Sequence, residues 1–187
     1  MSNQFLVQYI AAANAANANG QYASAVDWCQ RAIGLSPKLP EAWYNLGLAY
    51  RGLGQLDQAM TALKKTDGLT RDNPDAQNSV GLQLLELGAF REAERCLNRA
   101  LFLAPAFVYA YSNLGMLREV QGRFDEAEAA FREAIQLQPD LAALYVNLSG
   151  LQNLRKRHEL AEVAARRAID LDPGSCKAWS SLGLIQV

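Results

Sequence analysis

Apolar and small residues recur along this chain at the spacing of one face of an α-helix. One run follows the i, i+3, i+4, i+7 pattern at Trp43, Leu46, Gly47 and Tyr50, and this pattern predicts an amphipathic helix. A second run has a similar spacing at Phe124, Ala127, Phe131 and Ala134. Polar and charged residues fill the positions between them, so the chain is expected to be all helical.

The helical runs return in the sequence at a fixed interval. The stretch NLGLAYRGLGQLDQA begins at Asn45, and the similar stretch NLGMLREVQGRFDEA begins at Asn113, 68 residues further along. Half of this interval is 34, and repeats of that length fit the sequence without a gap. We therefore predict one array over 1–187 with five repeats and the first helix of a sixth. Their ranges are 6–39, 40–73, 74–107, 108–141, 142–175 and 176–187.

Small residues and turn formers hold fixed places in each repeat. The eighth place is always small and the twentieth is always alanine, as at Gly47 and Ala59. Small side chains let two helices approach closely, and a glycine between the helices, such as Gly54, suits a left-handed turn. A proline near the end of most repeats, such as Pro139, ends the second helix. Each repeat is predicted to be an antiparallel helix pair that buries its apolar face by stacking on its neighbours.

The repeat resembles the tetratricopeptide repeat, which has this period and a Trp-Leu-Gly-Tyr, Ala, Phe, Pro signature. The segment AWYNLGLAY, residues 42–50, carries the resemblance most clearly. It implies an all-α, right-handed superhelical solenoid of antiparallel helix pairs that binds a protein or peptide and is not an enzyme. The sequence departs from the pattern at Arg71 in place of proline, Lys156 in place of the turn glycine and His158 in place of an aromatic residue.

Composition narrows the class of partner. The 187 residues are 50% apolar and carry a net charge of −1, so the chain offers no overall basic field to nucleic acid. No apolar run is long enough to span a bilayer, and the N-terminal apolar stretch lacks the positive charge of a signal peptide. Cys29, Cys96 and Cys176 are far apart in sequence and are expected to be free thiols in a packed interior. We expect a cytoplasmic protein that binds neither nucleic acid nor membranes.

Candidate catalytic chemistry is absent from the sequence. The many carboxylates stand beside arginines at helix-surface spacing, which is typical of solvated i, i+4 pairs. The glycines recur with the repeat and form no phosphate-binding loop. The single histidine, His158, is expected to fill an aromatic core place. We therefore predict no catalytic residues, no metal site and no cofactor.

The inner, concave surface of such a solenoid is lined by the first helix of each pair. Asparagine recurs there at the sixth place, and apolar and aromatic residues lie beside it. The predicted peptide-binding residues are Asn45, Asn113, Asn147, Ser79, Tyr44, Leu48, Leu82, Met116 and Tyr109. Amides both donate to and accept from a peptide backbone, and an apolar row can take side chains. Asparagine at this place is equally consistent with a helix–helix role.

Two family types can be compared with this face. The asparagine row resembles the ladder in the arrays that precede O-linked N-acetylglucosamine transferases. Chaperone-binding members instead hold a carboxylate with a clamp of lysines or arginine and asparagines. The matching places of the first three repeats are Ile10, Asn14, Asn45, Asp75 and Ser79. Since these supply no cation, a carboxylate clamp is rejected.

Two alternatives to a free-standing interaction scaffold stay open. The array could be the recognition arm of a larger enzyme, such as a glycosyltransferase or sulfotransferase, or it could be a self-assembling module. The last helix carries Trp179, Leu182, Leu184 and Ile185 with no second helix to cover them. We expect either a longer array or homo-oligomerisation through this helix.

Overall fold

The computed structural model describes residues 2–185, which form eleven α-helices and contain no strand. Met1, Gln186 and Val187 belong to the predicted array but lie outside the described residues. The helices are α1 (Ser2–Ala18), α2 (Tyr22–Leu35), α3 (Pro40–Gly52), α4 (Leu56–Leu69), α5 (Pro74–Glu86), α6 (Phe90–Leu103), α7 (Val108–Val120), α8 (Phe124–Leu137), α9 (Ala142–Leu154), α10 (His158–Leu171) and α11 (Cys176–Ile185). The all-α class expected from the sequence is confirmed.

Tight turns join the two helices of each pair. At the turn between α1 and α2, Gly20 has a φ of +71°, and the amide of Gln21 donates to the carbonyl of Ala16 at 2.8 Å. This hydrogen bond closes the end of α1 and reverses the chain, so α2 packs antiparallel to α1. Lys156 holds the corresponding place between α9 and α10 with a φ of +58°, the one non-glycine residue of the described chain with positive φ.

The second helix of most pairs ends two residues before a proline, as α8 does at Leu137 ahead of Pro139. The next first helix then reaches back to that proline. Trp43 Nε1 donates to the carbonyl of Pro37 at 2.8 Å, and Trp179 makes the same bond to Pro173 at 2.9 Å. These aromatic side chains tie each connection to the helix that follows it.

In the third repeat both partners of this contact are replaced. A hydrogen bond still links the first helix to the connection that precedes it. Gln77 stands at the aromatic place and is fully buried, and its side-chain amide donates to the carbonyl of Thr70 at 3.3 Å. Arg71 stands where proline is usual, yet α4 ends at Leu69 as in the other repeats. Asn73 caps α5 by accepting from the amide of Ala76 at 3.0 Å. A polar side chain thus replaces the ring at this connection.

The described chain divides into two compact units, one that ends at Arg99 and one that begins at Ala100. In unit 1, Ala13, Cys29, Leu46 and Ala62 form a core against which Trp28 and Trp43 pack. In unit 2, Ala127, Phe131 and Leu151 form a core with Met116, Phe124 and Leu148. Each core lies between helices of adjacent pairs, which is how a stacked repeat buries its apolar faces.

Two expectations about buried residues are wrong. His158 is exposed rather than part of the core, and its Nδ1 lies 3.1 Å from Asn153 Oδ1. Its place is the first residue of a second helix, where one side of the side chain stays open; Leu56 holds the same place and is 54% exposed. Cys176 is also exposed, because it begins α11, whereas Cys29 and Cys96 are buried inside their helices as expected.

Candidate protein-binding site

The free side of the first helices in unit 1 carries three neighbouring cavities. We call this surface, formed mainly by α1, α3 and α5 with Tyr22 of α2 and Thr66 of α4, the first-helix face of unit 1. The apolar cavity, about 410 Å³, lies between α1 and α3 and is lined mainly by Leu6, Val7, Ile10, Ala11 and Leu39. Two further cavities lie beside it: the asparagine cavity, about 350 Å³ and lined partly by Asn45, and the tyrosine cavity, about 230 Å³ and lined partly by Tyr44. The face therefore offers adjoining depressions rather than one deep pocket.

The asparagine cavity brings together two of the predicted contacts. Asn45 and Leu48 of α3 line it with Asn14 and Asn17 of α1. Asn17 donates to the main-chain carbonyl of Asn45 at 3.0 Å, which joins the two helices. Asn45 is only 6% exposed, whereas Leu48 is half-buried. Asn45 thus presents little surface to a ligand, and Leu48 presents more.

The tyrosine cavity joins α3 to α5 and holds two more predicted contacts, Tyr44 and Ser79. Burial raises the pKa of Tyr44, although the charge of nearby Arg51 opposes the shift. The phenol therefore stays protonated at neutral pH and can donate a hydrogen bond. Arg51 itself pairs with Glu86 of α5. Leu82, half-buried on α5, lies one helical turn beyond Ser79 and lines none of the three cavities.

Unit 2 holds the remaining predicted contacts. Asn113 is only 7% exposed, and Asn147 is half-buried and donates to Ser112 Oγ at 3.0 Å. Met116 packs against the unit 2 core, while Tyr109 is 55% exposed with its ring edge-on to Phe107. A cavity of about 360 Å³ includes Asn147 among its lining residues. The amide at the sixth place links adjacent first helices here, since the bond from Asn147 joins α9 to α7.

Sequence reasoning did not include Asn17 or Tyr22, which line the asparagine cavity, or Thr66 and Thr70, which line the tyrosine cavity. Asn17 stands at the twelfth place of its repeat, the place that holds Arg51 in the next repeat. A search of that place for polar side chains could have found Asn17. Thr66 lies near the end of α4 and Thr70 directly follows that helix, so no pattern confined to first helices would reveal them.

Several charged groups of unit 2 form ion pairs with one another. Arg155, part of the basic run 155–158, donates to Asp125 at 2.6 Å and to Glu128 at 2.8 Å. Burial opposes ionisation of Glu128, but hydrogen bonds from Arg132 and Gln152 outweigh it and hold its pKa below the usual value. Arg132 is four residues from Glu128, so this pair has the expected i, i+4 spacing. The guanidinium of Arg155 is therefore paired with carboxylates of its own unit.

Residues 2–185 show no cluster of three histidine, cysteine, aspartate or glutamate side chains that could hold a metal ion. Over the same residues, no helix combines the length and the apolar character needed to cross a membrane.

The helix pairs of this chain match models of a known repeat family. One tetratricopeptide repeat model matches residues 81–142 and 121–176, more than half of the chain, and a second matches residues 16–81. The chain belongs to the tetratricopeptide repeat family. This family is generally a non-catalytic interaction scaffold, and the chain is accordingly a protein–protein interaction scaffold. No curated protein matches the chain.

Several solved structures share the tetratricopeptide fold of this chain. Pseudomonas aeruginosa pilF has a TM-score of 0.79 at 16% identity, over 99% of this chain and 85% of its own. A thermophilic tetratricopeptide protein of Thermus thermophilus has a TM-score of 0.76 at 20% identity, over 97% and 100%. YrrB, described as having an unusual peptide-binding site, has a TM-score of 0.66 at 24% identity, over 92% and 89%. At these identities the likeness shows the fold alone.

Proposed function

We propose that this tetratricopeptide repeat scaffold binds a protein segment along the first-helix faces of its units. The observation that carries the proposal is the run of three adjoining cavities on the first-helix face of unit 1. The proposed contacts in unit 1 are Tyr44, Asn45, Leu48, Ser79 and Leu82. Those in unit 2 are Tyr109, Asn113, Met116 and Asn147.

The exposed fractions divide these residues into two roles. Leu48, Leu82 and Met116 are half-buried and Tyr109 is 55% exposed, so each can give area to a ligand. Asn45 and Asn113 are 6% and 7% exposed, so they can contribute at most single hydrogen bonds of about 0.5–1.5 kcal/mol each. Most of the binding energy would then come from apolar and aromatic contacts, with the amides fixing the position of the backbone.

The proposal can be tested with a displayed library of random short peptides selected on the intact chain. Leu48→Lys would place a charge in the asparagine cavity of unit 1. Met116→Lys would place a charge at the same place of the repeat in unit 2. Each change should lower the affinity of the selected peptides for its own unit by about tenfold or more, because binding would desolvate the lysine charge without giving it a partner. Asn45→Ala should weaken binding less, by up to about tenfold.

Second-helix residues provide matched controls. Leu56→Lys on α4 and Val163→Lys on α10 add the same charge at residues that are 54% and 69% exposed. Both controls should bind like the unchanged chain, and circular dichroism melts should show that all four lysine variants stay folded. If the second-helix variants lose binding and the first-helix variants keep it, or if no peptide is selected, the proposal is wrong.

A further inference from the structure

The apolar cavity and the tyrosine cavity share one residue, Glu41. Glu41 lies in the first turn of α3 and is exposed. On one side of it are the aliphatic side chains of Leu6, Val7 and Ile10, and Val7 is 68% exposed. On its other side is the tyrosine cavity, with hydroxyl and amide groups. An apolar depression and a polar one thus adjoin at a single carboxylate.

A second carboxylate stands at the same place of the next repeat. Asp75 lies in the first turn of α5, next to Ala76, which lines the tyrosine cavity. Within the described residues neither the side chain of Glu41 nor that of Asp75 forms a hydrogen bond or an ion pair, and both residues are exposed. Acidic residues are favoured in the first turn of a helix, where the helix dipole is positive. Both groups therefore present a negative charge that the chain does not neutralise.

The linings of the two cavities contain no lysine or arginine. Lys38 and Arg71 stand in the connections before α3 and α5, outside both linings. Arg51, which lines the neighbouring asparagine cavity, pairs with Glu86. The two carboxylates thus suit a cationic side chain, and the apolar cavity suits an aliphatic side chain.

We propose that the two cavities sharing Glu41 take a protein segment in which an aliphatic residue is flanked by lysine or arginine. The aliphatic side chain enters the apolar cavity, and the basic side chain lies against Glu41 and Asp75. This inference rests on the proposed function and specifies the chemistry of its partner. It selects against acidic segments, because a carboxylate would meet Glu41 without a cation to offset it.

Synthetic peptide pools test the inference on the intact chain. Three pools share one fixed leucine among random residues and differ in a flanking position, which is lysine, glutamate or glutamine. A fourth pool replaces the leucine of the lysine pool by serine. Anisotropy at low salt should show the leucine–lysine pool binding about three- to tenfold more tightly than the leucine–glutamate pool, since an exposed ion pair contributes up to about fivefold. This preference should fall as salt screens the charges.

Charge variants assign the preference to its residues. The double change Glu41→Gln and Asp75→Asn should abolish the preference for lysine, and Glu41→Lys should reverse it. Lys65→Gln, an exposed cation of α4, is the control and should leave it unchanged. The serine–lysine pool should bind more weakly than the leucine–lysine pool.

The outcomes separate this inference from the proposed function. If all charge pools bind alike and Leu48→Lys still weakens them, the face binds peptide and the charge inference is overturned. A preference for the glutamate pool, or a lysine preference that survives the double change, also overturns it. A solution mass of two chains that Val7→Lys reduces to one would assign the apolar cavity to a second copy instead. If no pool binds, both proposals fail.

Discussion

The guanidinium of Arg95 donates to both carboxylate oxygens of Asp67, at 2.6 and 3.4 Å. Asp67 is only 6% exposed and also accepts from the amide of Gln77 at 3.2 Å. Burial opposes its ionisation, but the hydrogen bonds from Arg95, Gln77 and Cys96 outweigh burial and hold its pKa below the usual value. This cluster joins α4, α5 and α6 in unit 1.

The low pKa of Asp67 predicts a loss of stability in acid. A carboxyl whose pKa is lower in the folded chain stabilises the fold above its unfolded pKa, here 3.8, and loses this contribution as pH falls through the folded value. Asp67→Asn should cost about 1–3 kcal/mol at neutral pH. Urea unfolding should show the gap between the two proteins narrowing below about pH 4. A gap that is constant with pH would contradict the ionic role of Asp67.

Two substitutions of Trp43 should separate the stability contributed by its packing from that contributed by its hydrogen bond. Its ring packs on the core of Ala13, Cys29, Leu46 and Ala62, and its Nε1 donates to Pro37. Trp43→Ala should destabilise unit 1 by about 2–4 kcal/mol, below the full range for a buried ring because Trp43 is half-buried. Trp43→Phe keeps most of the packing and should cost about 0.5–1.5 kcal/mol. Urea midpoints of both variants measure the difference; equal costs would mean that the ring contributes little packing.

Two helical glycines should respond in opposite directions to alanine. A Cβ at Gly115 would lie 2.5 Å from Cε1 of Phe131, a ring that is fully buried. Gly115→Ala should therefore destabilise the fold by about 1–3 kcal/mol. Gly150, in the interior of α9, has nothing packed within 4 Å of that position beyond its chain neighbours and the backbone of its own helix. Gly150→Ala should stabilise by up to about 1 kcal/mol. Thermal melts that shift the same way for both would contradict this close approach.

Lys156 offers a stabilising change. Its φ of +58° is one that side chains with a Cβ rarely adopt, and glycine occupies the corresponding turns at Gly20, Gly54, Gly88 and Gly122. Lys156→Gly should raise the free energy of unfolding by about 0.5–1 kcal/mol, after allowance for the greater freedom of glycine in the unfolded chain. The reciprocal Gly122→Ala, at a φ of +74°, should lower it by about 1 kcal/mol. Denaturant melts that rank them the other way would contradict the strain at Lys156.

The three thiols should differ in reactivity. Burial raises the pKa of Cys29 and of Cys96 to about 12, and both side chains are fully buried, whereas Cys176 is exposed. Ellman's reagent should titrate one thiol in the native chain and three in denaturant, because the buried pair offers neither access nor thiolate. Cys176→Ser should remove the fast reaction, while Cys29→Ser should leave it unchanged. Fast labelling of two or more native thiols would contradict this burial.

The candidate face was only partly predictable from the repeat. Place in the repeat assigned Asn45, Ser79, Tyr44 and Leu48 to first helices, and the structure puts all four in the linings of two cavities. The pattern could not tell that Asn45 is 6% exposed while Leu48 is more open. Burial at a given place depends on the neighbouring helix, and the neighbours differ from repeat to repeat. Whether these residues bind a ligand stays a prediction.

The sequence by itself determined the helices and their pairing. Apolar spacing, turn glycines and terminal prolines act within a few residues of one another, so a local pattern is enough to predict that each repeat is a pair of antiparallel helices, as α7 and α8 are. Only the tertiary structure showed that Asp67 and Gln77 are buried together with Arg95, since these side chains meet through three different helices. It alone placed Glu41 between two cavities. Such relations depend on distances between helices far apart in sequence, which a repeating pattern does not specify.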